Sequence, residues 1–115
     1  MARAASPAPE LELLRGTLDL LVLRTLSWGP MHGLAVLQWI ERTTQERLQI
    51  EEGALYPALR RLEERGWITA EWGVSEEGRR ARFYRLTSAG RKQFAAERTQ
   101  WRHFAATVER VLDAS

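Results

Sequence analysis

The spacing of apolar residues changes period twice along the chain, and the order of those changes restricts the fold more than any other feature. Up to Arg65 the apolar positions recur with helical spacing. A segment over about Leu11–Trp28 carries Leu14, Leu18, Leu21, Val22 and Thr25 on one side, and Gly29-Pro30 interrupts it. A second over about Met31–Thr44 places Gly33, Val36, Leu37 and Ile40 on a stripe, and the polar run 43–49 follows. The third, about Glu52–Arg65, aligns Leu55, Ala58, Leu59 and Leu62 at i, i+3, i+4 and i+7, with Gly66 placed to end it. Pro57 requires this helix to begin shortly before it, near Gly53.

From Trp67 the pattern shifts towards alternation. Trp67–Trp72 and Ala81–Leu86 are rich in aromatic and β-branched residues, and the glycine-bounded run 73–80 separates them, which predicts a β-hairpin with a basic tip. Helical spacing resumes after Thr87 or Ser88 as N-cap and runs to about Asp113, a helix of about 37 Å. The expected fold is mostly α with a small β-hairpin: a winged helix-turn-helix over residues 10–87 and a long C-terminal dimerisation helix over 88–115, after a flexible tail at 1–9.

With 115 residues, a core this small is only modestly stabilising, and association would help. Five tryptophans supply large apolar surfaces. The sequence has no cysteine, which excludes disulfides, thiolate metal sites and cysteine nucleophiles. Apolar runs such as Leu20–Leu23 are far below the roughly 18 residues a membrane span needs. Met1–Pro9 lacks the continuous apolar segment of a secretory signal, so a cytoplasmic protein with no membrane partner is expected.

The formal net charge is only +2, but its distribution is uneven. Arg79, Arg80, Arg82, Arg85, Arg91 and Lys92 fall in one stretch without an acid, and of the seventeen cationic residues all but Lys92 are Arg. Arginine's planar fork suits phosphate, so the segment points to a nucleic-acid face. The second and third helices form a helix-turn-helix candidate, with Gly53, Ala54, Tyr56 and Pro57 leading into the major groove. Tyr56 can donate to a phosphate, and Arg60 and Arg61 follow one turn later. Arg79, Arg80 and Arg82 would grip the flank from the hairpin, and His32 beside Gly33 is placed to touch a phosphate. The competing account is a charged edge hairpin beside a solvated helix pair.

In the last helix Phe94, Trp101 and Val108 recur every seven residues, Phe104 and Val111 are offset by three, and Ala105 and Leu112 widen the stripe. This helix is longer than so small a core can cover, which predicts pairing with a second copy, joined by Leu11, Leu14 and Leu18. Asp19 reads as a surface or interface charge and His103 as a surface or interface residue. Neither His32 nor His103 has neighbours at metal-ligand spacing, and no phosphate-cradling loop or nucleophile elbow occurs, so no enzyme activity and no cofactor are expected.

Four stretches resemble the PadR family of bacterial transcriptional regulators: Leu14-Arg-Gly-Thr-Leu-Asp-Leu20, Met31-His-Gly33, Gly53-Ala-Leu-Tyr-Pro-Ala-Leu-Arg-Arg-Leu-Glu-Glu64 and Gly78-Arg-Arg-Ala-Arg-Phe-Tyr-Arg-Leu-Thr87. The single C-terminal helix is similar to that of the small PadR-like subgroup. The resemblance implies a homodimeric winged-helix repressor of a double-stranded DNA operator, with each last helix crossing onto the partner's first. It places His32, Gly33, Ala54, Tyr56 and the wing arginines at DNA-facing positions. It also implies that a small flat aromatic effector could bind between the last helices at Trp101, where the alternative is that Trp101 fills the interface itself. Members often carry Asn or Ser where this chain has Glu51 and Ala54, and Glu51 is the poorer cap. A winged-helix protein-interaction module that no longer reads DNA is the alternative that Glu51, Glu52, Glu63 and Glu64 suggest.

Overall fold

The computed structural model describes the backbone of residues 8–115 and the side chains of residues 17–115. Helix α1 spans Ala8–Leu26, beginning at Ala8 rather than Leu11. It ends where Gly29 adopts φ +147° ahead of Pro30. Met31–His32, which the spacing assigned to the next helix, instead form a short strand, β1, and α2 runs from Gly33 to Thr43. Helix α3 covers Glu52–Glu64, and Gly66, at φ +77°, turns the chain into the hairpin.

The hairpin strands are β2, Ile68–Val74, and β3, Arg80–Leu86. They pair antiparallel from Ile68↔Leu86 to Val74↔Arg80, and β1 adds to the other edge of β3 through Met31↔Tyr84 and His32↔Phe83. The sheet order is therefore β1-β3-β2. Both hairpin strands are longer than expected, because Ser75 and Arg79 close a tight turn. The Ser75 N–H donates to Arg79 O at 2.8 Å, and the Gly78 N–H donates to Ser75 O at 2.9 Å. Gly78 takes φ +81°, which favours glycine there.

One core joins these elements. Val22, Leu23 and Leu26 of α1, Val36 and Ile40 of α2, and Leu55, Ala58, Leu59 and Leu62 of α3 are buried against Ile68, Tyr84 and Leu86 of the sheet. The one buried polar side chain of this set, Thr25, is satisfied within its own helix by donating to Leu21 O at 2.8 Å.

Helix α4, Ser88–Leu112, starts at Thr87, whose side-chain oxygen accepts from the Gly90 N–H. Its first turn is fastened to the turn after α3: the Thr87 N–H donates to Trp67 O at 3.0 Å, and the Thr87 hydroxyl donates to Gly66 O at 2.7 Å. A Cβ built on Gly90 would stand 1.9 Å from Trp67 O, so only glycine permits this approach. Beyond Phe94 the helix leaves the core. Trp101 is 45% exposed, Phe104 60% and Val111 72%, and Val108 and Leu112 also face outward. Leu18 and Phe94, expected at an interface between copies, are buried in the chain's own core instead. The side chains of Leu11 and Leu14 lie outside the described residues.

Gly90→Ala should lower the unfolding free energy by about 1–3 kcal/mol, the usual cost of forcing an atom into a filled space. Urea denaturation reads this directly, and an unchanged midpoint would mean that α4 is free to shift off the turn.

Candidate nucleic-acid interface

The exposed end of α3 and the overhanging half of the hairpin face each other across a cleft of about 710 Å³, which His32, Gly33, Tyr56, Arg79, Arg80 and Arg82 line together. Its geometry follows from burial elsewhere. The face of α3 carrying Leu55, Ala58, Leu59 and Leu62 is fully occupied by the core, which turns Tyr56 and Arg60 outward. In the hairpin, directly opposed residues share a face. The face that buries Ile68 and Leu86 at its inner end carries Trp72 opposite Arg82, then Val74 opposite Arg80, where the strands run past the core.

His32 caps α2, its Nδ1 accepting from the Ala35 N–H at 3.2 Å, so the neutral ring carries its proton on Nε2. The ring meets Phe83 edge-on at 5.4 Å, which fixes its orientation. Tyr56 lies against Gly33: a Cβ there would stand 2.8 Å from its hydroxyl and 2.9 Å from its ring. Burial, reinforced by the carboxylate of Glu52 and by Tyr84, raises the Tyr56 pKa above its ordinary value, so its hydroxyl remains a neutral donor at physiological pH. Glu51 occupies the N-cap of α3 and makes no side-chain cap bond. Ala54 and Arg60 are exposed on α3 outside the set that lines the cleft.

The arginines divide into two groups. Arg61 is held by Asp19 of α1 at 2.8 Å, which draws it away from the outer face of α3 and makes Asp19 a tie between α1 and α3. Arg82 pairs with Glu63 of α3 at 2.9 Å, and Arg85 with Glu71 at 3.0 Å. Arg79 and Arg80 make no ion pair among the described residues, and the Arg80 guanidinium lies over the Trp72 indole at 4.6 Å. Trp72 and Leu34 also line the cleft, and neither was expected from the sequence. The signal for Trp72 was its place two residues before Val74 on a strand opposite the basic one, legible once the register is known.

Residues 22–96 match the Transcriptional regulator PadR-like family. The chain belongs to that family. A PadR family transcriptional regulator from Eggerthella lenta is similar at 31% identity, with a TM-score of 0.80 over 94% of this chain and 92% of that one. A transcriptional regulator from Clostridium thermocellum gives 29% identity and a TM-score of 0.78, covering 86% and 93% of the two chains. The transcriptional regulator Rv3488 of Mycobacterium tuberculosis is 32% identical over 97 residues, which cover 84% of this chain and 87% of that protein. As a PadR-like transcriptional regulator, the chain presents its cleft on the helix-turn-helix and the wing. Among the described residues no helix is long and apolar enough to cross a membrane, and no cluster of His, Asp or Glu could hold a metal.

Because Arg61 is tied to α1, its replacement should register in stability. Arg61→Ala should cost about 0.5–1 kcal/mol in urea denaturation, and adding Asp19→Asn should cost little more. Arg60→Ala should leave the midpoint in place, and equal effects at both positions would contradict this division.

Proposed function

We propose that this PadR-like regulator is a homodimeric repressor that binds a palindromic operator in double-stranded DNA. In this reading α3 enters the major groove with Ala54 and Tyr56 leading, and Arg60 reaches phosphates or base edges one turn on. Of the wing arginines, Arg79 and Arg80 grip the flanking backbone while Arg82 stays paired with Glu63, and His32 and Gly33 approach a phosphate from the start of α2. The observation that carries the reading is the cleft itself, in which a tyrosine donor, an oriented imidazole and the wing guanidiniums converge beside an exposed helix end. The protein-interaction alternative leaned on Glu51, Glu52, Glu63 and Glu64 around α3, of which Glu63 is paired with Arg82.

Support for the dimer comes from α4. Trp101, Phe104, Val108, Val111 and Leu112 form an uncovered apolar stripe on a helix that extends beyond its own core. Crossing onto the partner's α1 would bury it and set the half-sites about one helical turn apart. The reading includes a flat aromatic effector bound between the last helices at Trp101, a residue that also lines a groove of about 510 Å³ between α1 and α4 with Leu20, Leu21, Phe94 and Arg98.

Two measurements test this reading. Replacing Arg79 and Arg80 by Ala should weaken binding to specific and shuffled duplexes alike, and should flatten the log–log salt dependence by about one unit per lost phosphate contact. An unchanged slope would remove the wing from the interface. Phe104→Ser with Val108→Glu should convert a dimer to a monomer in sedimentation equilibrium, and a wild-type protein that sediments as a monomer would contradict the α4 assignment.

A further inference from the structure

The cleft carries more apolar surface than a phosphate grip requires. Trp72 is 59% exposed there, and Leu34 joins it in the lining. Exposure alone does not single out a tryptophan, because Trp28 is 61% exposed and is also covered by an arginine, Arg24, at 4.5 Å. What distinguishes Trp72 is its company. It stands on the overhanging face of β2, directly opposite Arg82, and it shares the cleft with Arg79, Tyr56 and His32. Arg80 lies over its ring at 4.6 Å, which fixes the guanidinium in place and leaves the remaining indole surface uncovered.

The occupant of such a cleft must present apolar surface and negative charge side by side. Three guanidiniums face the single carboxylate of Glu77 in the lining, and Arg82 is itself balanced by Glu63, so Arg79 and Arg80 supply the net positive charge. One strand of duplex DNA has this alternation built into its backbone, with an apolar deoxyribose face between successive phosphates. A strand passing between a helix in the major groove and a wing at its flank would run through this space.

We propose that Trp72 is a DNA-contacting residue that packs on a deoxyribose of the strand lying between α3 and the wing, while Arg80, stacked on the same indole, holds the adjoining phosphate. The inference rests on the DNA-binding reading above and assigns that site an apolar component. An apolar contact releases no counterions, so its loss has a different signature from the loss of an arginine.

The test uses the full-length protein and duplex DNA from the region upstream of its own gene, titrated over a series of salt concentrations. Trp72→Ala should weaken binding about tenfold, in the range found for well-packed aromatic contacts, with the salt slope unchanged. Trp72→Phe should recover most of the affinity, and Arg80→Ala should lower the slope. Thermal unfolding of Trp72→Ala should match the wild type, because the side chain is exposed. Wild-type affinity in Trp72→Ala would overturn the proposal, as would a loss accompanied by the slope change seen in Arg80→Ala, which would reduce Trp72 to a support for the guanidinium. Wild-type protein that fails to bind the duplex at any salt concentration would overturn the DNA-binding reading and this inference with it.

Discussion

The complete burial of one face of α3 is the constraint on which the remainder depends. Leu55, Ala58, Leu59 and Leu62 lie against α1 and the inner end of the sheet with essentially no exposure. A helix so committed has no freedom to roll, and its opposite face is therefore presented in a fixed orientation. The same core holds Ile68, Tyr84 and Leu86, so the hairpin is anchored at its base and its far half projects beside α3. The cleft is thus a consequence of packing, with its two walls set by one cluster of buried side chains.

Charge is arranged on this scaffold with some economy. The pairs Arg61–Asp19, Arg82–Glu63 and Arg85–Glu71 are partly or wholly solvent-exposed, and such pairs contribute about 0–1 kcal/mol each. Their larger effect is on direction. Arg61 is turned towards α1, and Arg82 bridges the wing to α3 through Glu63, which ties the two elements together. Among the described residues, Arg79 and Arg80 have no carboxylate partner at the outer end. A basic run that looks uniform in sequence therefore resolves into arginines tied to carboxylates and arginines that, among the described residues, are not.

The order of elements was legible because each depends on local signals. The i, i+3, i+4, i+7 stripe of α3, the Gly29-Pro30 break, Gly66 past a helix end and Thr87 as an N-cap all act through neighbours in the chain. Features set by distant partners were not legible. Met31 and His32 join a sheet only because β3 lies alongside them, and no pattern in two residues announces that. Leu18 fits an exposed seam or a core equally well by spacing, and the packing of α1 decides for the core. Arg61 and Asp19 stand far apart in sequence, so their pairing could not be foreseen, and Trp72 became a site candidate only once the hairpin register put it beside the arginines. Gly90 is similar: its role is evident only when Trp67 O is seen against it.

The central claim is that this surface recognises a particular DNA sequence. It is tested most directly by titrating the purified protein against the duplex upstream of its own gene and against a shuffled duplex of equal length, each at two salt concentrations. The account predicts tighter binding to the native duplex at both, with affinity for each falling steeply as salt rises. Equal, weak binding to the two duplexes would contradict sequence recognition at that site, and no binding at either salt concentration would contradict the nucleic-acid interface altogether.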